Sequence, residues 1–83
     1  MRTKGLRNKI NEVANTLKNQ IENATNAKCT LEITEDYERM IVSTQGDNKT
    51  FANFLNVRFS GHVIRQRYFE DINEYRCIIS LMN

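Results

Sequence analysis

The sequence predicts an α+β fold: one N-terminal amphipathic helix packed on a four- or five-stranded antiparallel β-meander. Three observations lead there. A single apolar stripe at helical spacing runs through the first third. After residue 27 the apolar period switches to two. Turn-forming residues then recur at short intervals. With 83 residues the chain has length for one domain, residues 1–83, and for a modest core.

Leu6, Ile10, Val13, Leu17, Ile21 and Ala24 step by three and four residues, which makes one narrow stripe on a helix of about five turns. Thr3 suits its N-cap, and Gly5 weakens its first turn. Cys29, Leu31 and Ile33 then alternate with Thr30, Glu32 and Thr34 as a half-buried strand. A turn over residues 35–38 leads to a second strand, in which Met40, Val42 and Thr44 alternate with Arg39, Ile41 and Ser43. Gln45-Gly46-Asp47-Asn48 is the strongest loop signal, and Phe51, Phe54 and Leu55 beyond it fit either a short helix or the start of a strand.

The last third reads as two hairpins. A two-residue turn at Ser60-Gly61 would pair Phe59 with His62 and Val57 with Ile64. A four-residue loop over 71–74 would pair Glu70 with Tyr75, Tyr68 with Cys77 and Ile64 with Leu81. Both registers send Val57, Phe59, Ile64, Tyr68, Tyr75, Cys77, Ile79 and Leu81 to one face, with His62 and Gln66 as polar intruders.

The opposite face is where function is expected. It would carry Arg58, Val63, Arg65, Arg67, Phe69, Arg76 and Ile78, with its acids confined to loops. Guanidinium groups fork onto phosphates and stack on bases, and an aromatic ring adds a stacking platform. The net charge of +2 is unevenly distributed: residues 1–28 carry +4, residues 29–49 carry −3 and residues 50–83 carry +1. Arg7 and Lys9, with Arg2 and Lys4, would add phosphate contacts from the basic N-terminal segment.

These features favour a small regulatory protein contacting RNA or single-stranded DNA through Arg58, Arg65, Arg67, Arg76 and Phe69, assisted by Arg7 and Lys9. The competing reading is a protein-interaction module using the same face, either an inhibitor of a host protein or a homodimer. Eleven asparagines with no proline or tryptophan suggest a gene of low GC content, as in a phage or another mobile element.

Enzyme chemistry has little to stand on. His62 is the only histidine, and Cys29 and Cys77 fall on inward strand positions as small hydrophobes. The acidic clusters at 35–38 and 70–74 lack the spacing of a calcium loop. Three well-separated glycines make no phosphate loop, so neither cofactor nor metal is expected. The chain has no membrane-length apolar run and no apolar segment after its first residues, so a cytoplasmic protein is the expectation.

Overall fold

A computed structural model describes residues 2–82, and the side chains of residues 9–82. The order is α1 (Arg2–Thr25), β1 (Cys29–Ile33), β2 (Arg39–Gln45), α2 (Lys49–Arg58), β3 (Val63–Phe69) and β4 (Glu74–Ser80). The four strands form one antiparallel sheet in the order β1-β2-β4-β3, so the predicted α+β class holds. The connectivity departs from a meander, because α2 carries the chain across from central β2 to edge strand β3. No helix among the described residues is long and apolar enough to cross a membrane.

α1 begins at Arg2, ahead of Thr3, so Thr3 is not its cap. It ends at Asn26, which takes a left-handed φ of 56° and donates its N–H to Glu22 O at 2.8 Å. At about 1.5 Å per residue α1 is longer than any strand beneath it. Its C-terminal half therefore does the packing: Ile21 is buried and Leu17 lies against the core. Thr25 is buried too, its hydroxyl returned to Ile21 O at 2.7 Å. Val13 stays 53% exposed.

The β1–β2 hairpin forms where the alternation put it, with Leu31 opposite Val42 and Ile33 opposite Met40. Asp36 organises its turn, accepting from the Thr34 hydroxyl at 2.5 Å and the Glu38 N–H at 3.0 Å. Tyr37 takes a positive φ of 61° at the tip.

The ambiguous segment after the loop is helical. Asn48 caps it, its side chain accepting from the Phe51 N–H at 3.0 Å. Phe51 and Leu55, one turn apart, are then both fully buried. The Phe51 ring meets Tyr75 edge-on, centroids 6.0 Å apart. This helix runs through Arg58 and removes the expected Val57–Phe59 strand. Val57 is 79% exposed on α2, and Phe59 is its C-cap, donating to Leu55 O at 2.9 Å. Ser60-Gly61 accordingly belongs to the turn that leaves the helix, with Gly61 at φ 84°, and His62 is exposed rather than turned to the core.

In the β3–β4 hairpin the loop is 70–73, one residue earlier than expected. Tyr68 faces Tyr75 and Gln66 faces Cys77. Asn73 closes it with φ 51°, accepting from the Tyr68 hydroxyl at 2.5 Å. The shift preserves the inward set up to Gln66. Beyond it a bulge between Val63 and Arg65 leaves Ile64 unpaired. Val63 therefore turns to the core opposite Ile79, while Ile64 is exposed, the reverse of the expected facing. Leu81 lies past the end of β4 and is exposed.

The core is Ile21, Cys29, Met40, Val42, Phe51, Leu55, Tyr75, Cys77 and Ile79, between the helices and one face of the sheet. Gln66, the polar intruder, is satisfied: it accepts from the Tyr75 hydroxyl at 2.6 Å and exchanges amide hydrogen bonds of 3.0 Å with Asn56 of α2.

Removing the cap by Asn48→Ala is expected to lower stability by about 1 kcal/mol. Phe51→Ala, which empties a sealed site, is expected to lower it by about 3–5 kcal/mol. Urea unfolding followed by circular dichroism measures both, and an unchanged midpoint for Asn48→Ala would dismiss the cap as the device that fixes α2.

Candidate nucleic-acid interface

Strand pairing builds the uncovered face of the sheet in rows. Glu32, Ile41, Ile78 and Arg65 form one row across β1, β2, β4 and β3. Thr30, Ser43, Arg76 and Arg67 form the next, and Gln45, Glu74 and Phe69 the third. Both helices lie on the other side, so this surface is open.

Arg67 and Arg76 are direct cross-strand partners. Both guanidinium groups sit against the Phe69 ring, at 5.2 Å and 5.0 Å from its centre. Arg76 also donates through Nε and Nη2 to one Glu74 oxygen, at 3.1 and 2.6 Å. Its charge is thereby largely matched. Among the described residues Arg65 and Arg67 have no carboxylate within ion-pair distance. Arg65, Arg67, Phe69, Arg76 and Ile78 frame a depression of about 330 Å³. A second depression of about 310 Å³, on the far side of Arg76, runs over Ser43 and Ile41 to Glu32.

The structure thus brings Arg65, Arg67, Arg76 and Phe69 together and separates the other expected site residues from them. Arg58 ends α2 in the helical layer and rests on Phe59 at 5.0 Å. Lys9 is exposed on α1, in that same layer, and lines a groove beside Val13. Arg7 also belongs to α1, but its side chain, like those of Arg2 and Lys4, falls outside the described residues.

Two features escaped the sequence reading. Glu74, assigned to a loop, opens β4 and holds Arg76, while Glu32, read on the outward side of its strand, lies on this face. The adjacency of Ile41 to Ile78 needs the β2–β4 pairing, for which no local pattern signals.

Elsewhere titratable groups are dispersed. No three His, Cys, Asp or Glu side chains gather into a metal-holding cluster among the described residues. Cys29 and Cys77 are both free and buried. Burial pushes the Cys77 thiol up, partly offset by a hydrogen bond with Tyr75. Burial, reinforced by Glu22, pushes Cys29 up as well. The Tyr75 hydroxyl is driven in the same direction by burial. A thiolate is the nucleophilic form of cysteine, so these positions suit packing rather than attack. Comparison with protein-family models, with curated proteins and with solved structures finds no match for this chain.

The raised thiols carry a pH dependence. Their folded-state values lie above the unfolded ones, so the unfolded chain ionises first. The stability they contribute is complete below about pH 8.5 and is lost as pH rises beyond it. Thermal midpoints should accordingly fall between pH 8 and pH 10, and Cys77→Ala should flatten that fall; an identical decline in the variant would count against Cys77 as a source.

Proposed function

We propose that this protein is a non-enzymatic binding protein whose open sheet face contacts RNA or single-stranded DNA through Arg65, Arg67 and Arg76 around Phe69. The observation that carries the reading is the Arg67–Arg76 pair. Like charges directly opposite on neighbouring strands destabilise a sheet, yet here two arginines face each other and Arg65 adds a third base beside them. A single Glu74 answers only one of the three. A bound polyanion relieves that excess.

Arg65 and Arg67 are two residues apart on one strand, about 7 Å, a step comparable to that between neighbouring phosphates of an extended chain. Their guanidinium groups act as phosphate forks. Arg67 and Arg76, already stacked on Phe69, offer planar faces to an unstacked base. Unpaired strands suit this surface better than a duplex, because no helix among the described residues lies on this side. Arg58, Arg7 and Lys9 are set aside as direct partners of this cluster, since they belong to the helical layer.

A second reading, a protein-binding surface, draws on Ile41 and Ile78, which sit side by side on the same face. Fluorescence anisotropy with labelled single-stranded RNA, single-stranded DNA and duplex DNA decides between them. Salt-sensitive binding to a single-stranded probe is expected. In Arg65→Ala/Arg67→Ala the slope of log affinity against log salt should fall by about 1.4 on a single-stranded probe, about 0.7 for each phosphate contact removed. No binding to any probe at low salt, or binding indifferent to the double substitution, overturns the nucleic-acid reading and leaves the protein surface.

A further inference from the structure

On the helical side, away from Arg65, Arg67 and Arg76, α1 and the tip of the β1–β2 hairpin enclose a groove of about 330 Å³. Its lining is apolar, from Ile10, Val13, Leu17, Tyr37, Met40 and their neighbours, except that Lys9 stands on its α1 wall. Val13 is about half exposed, Tyr37 and Leu81 more than a third, and Met82 follows them into solvent. Exposed apolar side chains gathered in one place make this a candidate contact surface.

The charges beside it specify what fits. Tyr37 is set among Glu35, Asp36 and Glu38, all exposed, so the hairpin tip presents an acidic rim. The matching occupant is a helix with an apolar stripe flanked by bases. The N-terminal half of α1 has that composition: Leu6, Ile10 and Val13 are accompanied by Arg2, Lys4, Arg7 and Lys9, with no acid before Glu12.

We propose that the groove is the contact surface of a homodimer, in which each copy lays the N-terminal half of its α1 against the α1 and hairpin tip of the other. A two-fold interface requires one patch to carry both halves of every contact. This patch does so, since α1 supplies the basic apolar element and the hairpin supplies the acidic apolar one. The unequal packing of α1 follows. Ile21 and Thr25 are buried within the chain, whereas Val13 waits for the second copy.

The test is sedimentation equilibrium of nuclease-treated protein from low to high micromolar concentration. The wild type is expected to approach twice the 9.7 kDa chain mass. Val13→Glu should stay at the chain mass with an unchanged circular dichroism spectrum, because the side chain is already exposed. Leu81→Glu, beyond the last strand, gives the same readout without touching α1. Glu35→Lys/Glu38→Lys should weaken dimerisation about ten-fold, since like charges then meet. A monomer throughout the range overturns the proposal, and so does a dimer that Val13→Glu and Leu81→Glu leave intact. Arg65→Ala/Arg67→Ala should dimerise as the wild type does, which separates this surface from the nucleic-acid face.

Discussion

The pairing of β2 with β4 sets Met40 beside Ile79, Val42 beside Cys77 and Thr44 beside Tyr75, joining segments far apart in the chain. Those six residues are all buried, and they form the floor on which both helices rest. Because β4 occupies the place next to β2, β3 is forced to the outside. The connection from β2 must then cross the sheet, and α2 is that crossing. Its two buried side chains, Phe51 and Leu55, enter the same core, Phe51 edge-on against Tyr75, and Ile21 and Leu17 of α1 pack there with them. A single non-local contact thereby decides the positions of both helices and of the edge strand. Its closure entropy must be met before its burial is gained.

The same pairing composes the opposite surface. Side chains that alternate with the core residues are carried into register with one another, so Ile41 meets Ile78 and Ser43 meets Arg76. The face therefore grades from Glu32 and Thr30 on β1, through Ile41, Ile78 and the Arg76–Glu74 ion pair on the central strands, to Arg65 and Arg67 on β3. Two halves of the molecule, one basic sheet edge and one apolar helical groove, face different directions and leave room for two different kinds of contact.

Local patterning made a large part of this legible. The stripe of α1 and the alternation in β1 and β2 depend on periods of 3.6 and 2, which any segment displays without knowing its neighbours. The cluster of Arg65, Arg67, Arg76 and Phe69 was readable for the same reason: a hairpin error that keeps parity leaves each side chain on its proper face. Where parity was broken, the reading failed. The bulge at Ile64 exchanged Val63 with its neighbour, and no residue type there announces it. Arg58 was misplaced because Phe54 to Phe59 satisfies either period, and Asn48, the residue that decides for helix, acts from ten positions upstream. The order of the strands was beyond reach, since the non-local pairing of β2 with β4 rather than any turn dictates it.

The position of β3 has one more consequence. It is an edge, with a row of backbone donors and acceptors that no strand among the described residues takes up, and such edges invite pairing with a neighbouring molecule. Successive cations along the strand, together with a bulge that bends it, are the usual safeguards against that association. Arg65 and Arg67 therefore serve as gatekeepers of this edge, in addition to the anion contacts proposed for them. The two demands reinforce each other: a surface charged enough for the proposed polyanion is also one that repels its own copies along the sheet, so the residues that guard the edge are the same ones that would take the ligand.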